Sequence, residues 1–227
     1  MKKQSLVAAM AVLTTTVSAS ASLVAGWTMT TAVPAATTGA SYTYGAADQG
    51  DLAAGTSLSA AHSLAATTWS SPSGNGSTYS LSSNNWTVGD YYQIAVSTTG
   101  FSDINLSWDQ TRSSTGPSVF SVQMSTDGSN FSSILSSYTI IQAGFAGSGT
   151  LAWSVVNGVQ AAFTTTINSI AGAGDQATLF FRFVNTSTVA TGGTNRIDNI
   201  FVNGTAVPAP GAIALLGLAG LAARRRR

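Results

Sequence analysis

Apolar and polar residues alternate with a period of two along much of the chain after Tyr91. This alternation is the pattern of half-buried antiparallel strands, and turn residues such as Asp127–Gly128 bound the segments that show it. A helix would repeat about every 3.6 residues, and no stretch between residues 22 and 205 does so. Three segments therefore predict strands, with the core-facing residues Tyr92, Ile94 and Val96; Ile104, Leu106 and Trp108; and Phe120, Val122 and Met124.

The composition also favours strands. The chain has no glutamate and only 7% charged residues, whereas 44% of its residues are hydrophobic and 9% are aromatic. A disordered chain would be far less apolar. Two later segments, LFFRFV and RIDNIFVNG, carry apolar residues on both faces, as strands covered on both sides do. We therefore predict an all-β fold, an antiparallel, jelly-roll-like β-sandwich over residues 22–205.

The net charge of +1 conceals an acidic body. Lys2, Lys3 and Arg224–Arg227 lie at the two ends, and between them three arginines stand against eight aspartates. This body lacks the basic surface that nucleic-acid binding requires. The chain contains no cysteine, so disulfides and thiolate metal sites are excluded.

The N-terminus has the organisation of a secretory signal peptide. Its basic pair is followed by an apolar stretch from Leu6 to about Leu13, and Ala19-Ser20-Ala21 fits the small-x-small cleavage site. The apolar stretch is shorter than the roughly 20 residues of a membrane-spanning helix. We predict a signal helix within residues 1–21, a single cut by signal peptidase after the motif formed by Ala19 and Ala21, so that the mature chain starts near Ser22, and export of the body.

The body offers no catalytic motif. His62 is its single histidine, and no G-x-S-x-G turn is present. We predict that His62 is a surface or core residue. Asp103 and Asp109 would lie about 20 Å apart along an extended strand, beyond the roughly 5–10 Å between the carboxylates of a glycosidase. The sequence therefore predicts no catalytic residue and a protein that is not an enzyme.

Asp198 is the one candidate metal ligand. It lies in TNRIDN with Asn195 and Asn199, and carboxylate, amide and backbone oxygens are the ligands that Ca²⁺ prefers. The alternative is an ion pair of Asp198 with Arg196 or Arg182, or a cap at a strand end. Both interpretations stay open, and the sequence predicts no cofactor other than this candidate calcium ion.

Carbohydrate binding would use exposed aromatic side chains as stacking surfaces with polar neighbours. The alternative for each tryptophan is packing in the core, which the pattern favours, since Trp108 lies on an apolar strand face. The candidates are Trp69, Trp86, Trp108 and Trp153.

The C-terminus reads VPAPGAIALLGLAGLAARRRR. The apolar run 211–223 would be about 20 Å long as a helix, shorter than the hydrocarbon core of about 30 Å. It has no polar face with which to pack as a terminal helix of the domain. The four arginines Arg224, Arg225, Arg226 and Arg227 form a positive-inside membrane stop. We predict a short transmembrane helix whose end stays in the cytoplasm.

This tail resembles the PEP-CTERM sorting signal of Gram-negative bacteria, which consists of a V-P-x-P-like segment, a short Gly- and Leu-rich helix and an arginine cluster, in that order. The resemblance implies that residues 206–227 hold the exported chain in the inner membrane until an exosortase cleaves it. The recognition segment would be Val207, Pro208, Ala209 and Pro210, with Ala209 in place of the usual glutamate. Residues 112–131 and 191–204 also resemble stretches of the β-sandwich ectodomains that precede such tails.

These features predict an inner-membrane-anchored precursor that reaches the cell surface or extracellular matrix. Its expected role is structural or adhesive, in exopolysaccharide or biofilm. A carbohydrate-binding module, with or without structural calcium, is the alternative, and an enzyme acting on polysaccharide is a third hypothesis. The expected partners are signal peptidase, exosortase, the inner membrane and extracellular polysaccharide, but not nucleic acid.

Overall fold

The structure is a computed structural model that describes residues 20–144, 151–190 and 192–208. Within these ranges the chain forms twelve strands, one 3₁₀ turn at Ala161–Phe163 and no α-helix. The strands are β1 (Ala21–Trp27), β2 (Ser41–Gly45), β3 (Ser57–Ala61), β4 (Trp69–Ser70), β5 (Leu81–Ser83), β6 (Tyr91–Val96), β7 (Phe101–Arg112), β8 (Val119–Ser125), β9 (Ser132–Thr139), β10 (Thr164–Ile167), β11 (Leu179–Asn185) and β12 (Asn195–Ala206).

The strands form two six-stranded antiparallel sheets. The first sheet has the order β10-β7-β12-β5-β4, and β1 pairs with the C-terminal half of β12 while β5 pairs with its N-terminal part. The second sheet has the order β2-β3-β6-β11-β8-β9. Side chains of both sheets meet in one hydrophobic core. The predicted antiparallel two-sheet fold is therefore confirmed.

The alternation in the sequence assigns the core faces of β6, β7 and β8 correctly. The three predicted residues of β6 and the three of β7 are buried, as are Phe120 and Val122 of β8, whereas Met124 is half-buried. Trp108 of the first sheet packs on Phe183 of the second at 4.8 Å between ring centroids. Burying such a side chain stabilises the fold by about 1.5–3 kcal/mol. The predicted turn at Asp127 joins β8 to β9.

Residues 22–85 contribute five strands that the sequence indicated only weakly. β4 and β5 are two and three residues long, and the register of β1 shifts between Leu23 and Ala25. Such short or shifted strands do not hold a period of two long enough to be recognised. They nonetheless extend both sheets, because β2 and β3 join the second sheet and β1, β4 and β5 the first.

The two predicted terminal helices fall outside the described residues, apart from Ser20 and Ala21, which precede and begin β1. No helix in the described ranges has the length and apolarity needed to cross a membrane.

Candidate functional site

Two buried aspartates lie side by side on the first sheet. Asp109 of β7 and Asp198 of β12 are direct cross-strand partners, on the face turned away from the second sheet. Both are buried, with exposed fractions of 2% and 0%. Buried carboxylates need hydrogen-bond donors or a counter-charge, so their surroundings decide what they can do.

The loop between β4 and β5 covers Asp198. The backbone N–H of Asn75 donates to Asp198 Oδ2 at 2.8 Å, and Ser77 Oγ donates to the same oxygen at 2.6 Å. Asp198 Oδ1 accepts the N–H of Asn199 at 2.8 Å. Gly74 passes so close that a Cβ at this position would overlap Asp198 and Ser77. Glycine at position 74 therefore allows the loop to pack directly on the carboxylate of Asp198 and to exclude solvent from it.

Asp109 is held by three side chains. Thr164 Oγ1 donates to its Oδ1 at 2.6 Å, and the amides of Asn75 and Asn199 each donate to its Oδ2 at 2.8 Å. The side chain of Asn199 reaches Asp109 because β12 has a register shift here and Asn199 adopts a left-handed φ of 46°. Asn75 Oδ1 in turn accepts the N–H of Gln160. The cluster thus ties two loops to the sheet.

Burial raises the pKa of Asp198 from 3.8 to about 7, with a smaller contribution from the charge of Asp109. The hydrogen bonds from Ser77, Asn75 and Asn199 act in the opposite direction but do not offset the loss of solvation. One of the two neighbouring carboxyls therefore changes its protonation near neutral pH.

The cluster does not fit a calcium site. Its carboxylate oxygens accept hydrogen bonds from N–H and O–H groups, whereas Ca²⁺ needs six to eight oxygen ligands. Within the described ranges no three His, Cys, Asp or Glu side chains converge as metal ligands. The side chain of Asn195 lies elsewhere, accepting from Gln110. The described residues supply no arginine partner for Asp198 either, so its alternative ion pair does not form.

The cluster also lacks the access that a glycosidase needs. Asp103 and Asp109 are not brought together, since Asp103 is exposed near the start of β7. A pocket of about 180 Å³ lined in part by Phe201 and Val159 borders Asp109. Both oxygens of Asp109 are nonetheless engaged by protein donors. No sequence pattern pointed to the Asp109–Asp198 pair, because the two residues are distant along the chain.

His62 is a core residue, one of its two predicted locations. Its Nδ1 lies 3.6 Å from Asp90 Oδ2 and its Nε2 lies 3.3 Å from Ser83 Oγ. The ring packs between Trp69 and Trp86, with centroids 4.9 and 4.2 Å away. Ser83, His62 and Asp90 have the composition of a Ser-His-Asp triad. Ser83 is only 1% exposed, however, so a substrate cannot reach its hydroxyl group in this structure. Burial lowers the pKa of His62 to about 4.

The tryptophans form no exposed platform. Trp69, Trp86, Trp108 and Trp153 are 1%, 3%, 0% and 7% exposed. The indole N–H groups of Trp69 and Trp86 donate to backbone carbonyls, which fixes them in the interior. Their interpretation as stacking surfaces was therefore wrong, and the core interpretation is confirmed. Half-buried aromatic side chains occur on the second sheet, where Tyr91 and Phe180 lie, and on the first, where Phe201 lies.

A row of polar side chains crosses the whole outer face of the second sheet. Its members are direct cross-strand partners in successive strands, and each is exposed or half-buried. At about 4.8 Å between strands the row is about 24 Å long. We call it the Arg182 row, and it consists of Thr43, Ser59, Gln93, Arg182, Gln123 and Ser133.

Half-buried apolar side chains flank the row on both sides. Tyr91 and Val184 lie on one side of it, and Ala95 and Phe180 on the other. Phe180 packs under the β8–β9 turn at Gly128. Every second residue of LFFRFV and YYQIAV lies on this face. The expectation from the sequence that LFFRFV is covered on both sides was therefore wrong. One face of β11 is buried and the other is half-exposed.

Arg182 is fixed at the centre of the face. Its guanidinium lies over the rings of Tyr91 and Phe131, 4.2 and 3.7 Å from their centroids. Its Nε donates to Gln93 Oε1 at 2.7 Å. Each cation–π contact contributes about 0.5–2 kcal/mol, so that together with the Gln93 hydrogen bond they favour this position of the guanidinium. No aspartate in the described part of the chain forms an ion pair with it.

The sorting segment is described only at its start. Val207 follows β12, is 52% exposed, and donates its N–H to Gly100 O at 2.8 Å. Pro208 is the last described residue, and Ala209, Pro210 and the four arginines lie outside the described residues, as does Ala19. Ala21 is the first residue of β1, so cleavage there would leave the rest of that strand intact.

No family model and no curated protein matches the chain. Among solved structures, it is similar to the K1 and K3 cleaved adhesin domains of Lys-gingipain from Porphyromonas gingivalis. The K1 domain is 13% identical with a TM-score of 0.42, covering 78% of this chain and 95% of that one. The K3 domain is 14% identical with a TM-score of 0.44, covering 81% and 99%.

A third similar structure is that of the CBM22-1-GH10 modules of a Clostridium thermocellum endo-1,4-β-D-xylanase, complexed with xylohexaose. It is 12% identical with a TM-score of 0.42, and the match covers 83% of this chain and 29% of that one. All three TM-scores lie below 0.5, so these likenesses assign no function to this chain.

Proposed function

We propose that this chain is an exported, non-catalytic surface protein whose jelly-roll-like β-sandwich binds polysaccharide along the Arg182 row. The observation that carries the proposal is the row itself, six polar side chains in register across the second sheet. A linear polymer of hydroxylated rings is a ligand that matches an elongated polar surface of this kind.

The chemistry of the face suits sugars. Sugar rings present hydroxyl groups at their edges and C–H groups on their faces. Gln93 and Gln123 offer both amide donors and acceptors to hydroxyl groups, while the half-buried Tyr91 offers apolar area beside them. Binding sites commonly combine apolar surface with a few well-placed polar groups. Gln93 is already oriented by Arg182, which lowers the entropy lost on binding.

Delivery to the surface is the second part of the proposal. The VPAP segment begins directly after β12, where Val207 N–H is still bonded to Gly100 O. A tail that leaves the end of the domain can be cleaved without opening a sheet. We propose that signal peptidase and exosortase process the chain, and that the sandwich then functions at the cell surface or in the extracellular matrix of a Gram-negative bacterium.

The binding face is tested by affinity electrophoresis of the full-length protein through gels containing neutral or acidic polysaccharides. We expect retardation by at least one polysaccharide. The double variant Tyr91→Ala/Gln93→Ala should weaken binding about fivefold or more, since each lost hydrogen bond is worth about 1 kcal/mol. The control is Gln49→Ala, an exposed glutamine next to the first sheet.

Two results would contradict this proposal. One is a wild-type protein that no polysaccharide retards. The other is retardation that Tyr91→Ala/Gln93→Ala leaves unchanged, because binding would then use another surface. Equal thermal unfolding midpoints of the variants and the wild type would show that the sandwich itself is intact.

A further inference from the structure

Arg182 is a rare charge in an acidic body. Between residues 22 and 208 the sequence has three arginines, no lysine and eight aspartates. Arg112 is used structurally, since its guanidinium donates to the carbonyl oxygens of Ile140, Ser113 and Ser114. Arg182 instead stands among uncharged partners on an open sheet face. Its charge is therefore available to a ligand.

The guanidinium of Arg182 is oriented but not saturated. Gln93 takes the Nε–H, and the rings of Tyr91 and Phe131 contact the guanidinium group. Its Nη1 and Nη2 make no hydrogen bond to any residue that the structure describes. These two nitrogens carry donors in a fixed fork that matches the two oxygens of a carboxylate.

The neighbouring aspartates do not supply that carboxylate. Asp127, in the turn before Phe131, accepts hydrogen bonds from Ser125, Ser129 and Asn130. Asp90, which precedes Tyr91, accepts from Thr87 and Ser63. Both carboxylates are occupied locally, and neither forms an ion pair with Arg182.

A half-buried guanidinium with no counter-charge among the described residues favours a ligand that brings a negative charge. We propose that the polysaccharide bound along the Arg182 row is acidic, and that the Nη donors of Arg182 bind the carboxylate of a uronic acid residue. This inference rests on the proposed function and names its ligand class. Gln93 and Gln123, the cross-strand partners of Arg182 on either side, would contact hydroxyl groups of the same polymer.

Polygalacturonate and its fully methyl-esterified form provide the test, because they share one backbone and differ in charge. Affinity electrophoresis of the full-length protein should show binding to polygalacturonate that weakens with added salt. Arg182→Gln should weaken that binding about tenfold or more, and Arg182→Lys should restore only part of it. The matched control is Arg196→Gln, which removes the same charge from β12 of the other sheet.

The outcomes separate this inference from the proposed function. Equal binding of both polymers, weakened equally by Arg182→Gln, would overturn the acidic ligand and leave polysaccharide binding intact. Tighter binding of dextran sulfate than of polygalacturonate, also lost in Arg182→Gln, would overturn the carboxylate assignment. A wild-type protein retarded by no polymer would overturn both. An effect of Arg196→Gln as large as that of Arg182→Gln would show a nonspecific charge effect and overturn the inference.

Discussion

Asn75 binds both buried aspartates at once, since its side-chain amide donates to Asp109 and its backbone N–H to Asp198, each at 2.8 Å. This arrangement fastens the β4–β5 loop over two neighbouring strands of the first sheet. It is built from residues of three separate parts of the chain. A cross-link of this kind should contribute to the stability of the whole domain.

Replacing Asn75 with alanine should lower the free energy of unfolding by about 2–4 kcal/mol, because the buried carboxylate of Asp109 would lose a donor and the N–H of Gln160 its acceptor, while both keep their desolvation cost. Urea denaturation of the full-length protein at pH 7 measures the change. Asn157→Ala is the matched control, since Asn157 is exposed and donates a single hydrogen bond to Ala152 O. Equal effects of the two substitutions would contradict a special role for Asn75.

Asp198 should destabilise the fold as the pH rises toward neutrality. Its folded pKa of about 7 lies above the ordinary 3.8, so the folded chain holds the proton more tightly than the unfolded chain does. The stability that this provides is fully present below about pH 4 and is lost as the pH rises through 7. Asparagine does not titrate, so Asp198→Asn should lack this loss. The free energy of unfolding of the variant minus that of the wild type should therefore increase from pH 4 to pH 8. A difference that stays constant across this range, in urea denaturation series, would refute the assignment.

His62 should act in the opposite direction over the same pH range. Its folded pKa of about 4 lies below the ordinary 6.5, so the unfolded chain takes up a proton first. The stability of the neutral, buried ring is present above pH 6.5 and is lost as the pH falls through 4. In the wild type, His62 thus adds stability as the pH rises from 4 to 7. His62→Gln lacks this gain, so the free energy of unfolding of the variant, relative to that of the wild type, should fall over this range. A parallel profile would argue against a buried, neutral His62.

Removal of the tail should separate delivery from folding. A chain ending at Val207 keeps β12 and the hydrogen bond from Val207 to Gly100. We expect this truncated protein to fold and to appear in the periplasm or medium rather than on the cell surface. Mass spectrometry of the full chain should show a mature protein ending near Pro210 only in a host with its exosortase. Unchanged surface display after truncation would disprove the sorting role.

The sequence predicted the parts of the fold that depend on local periodicity. In β6 and β7 the alternation of apolar and polar residues identified the buried face, because successive side chains of a strand point in opposite directions. By the same rule, Asp109 falls on the face opposite Trp108. Periodicity says nothing about which strand lies alongside, and therefore the neighbour of Asp109 stayed unknown.

The site residues that the sequence missed are brought together only by strand pairing. The Arg182 row draws one residue from each of six strands, and its first and fourth members, Thr43 and Arg182, are far apart in sequence. The tryptophans were considered for binding because of their residue type, but the tertiary structure places them inside. Exposure is set by what packs on a side chain, which no local pattern records.

By itself, the sequence determined that this chain forms strands and buries one face of the best-patterned ones, whereas the export and sorting segments at its two ends stay predictions. The tertiary structure alone decided that Asp109 lies beside Asp198 and that Arg182 stands on an accessible polar row. The physical reason is that side-chain direction follows from the backbone of one strand. Register and burial, in contrast, arise from hydrogen bonds and packing between segments distant along the chain.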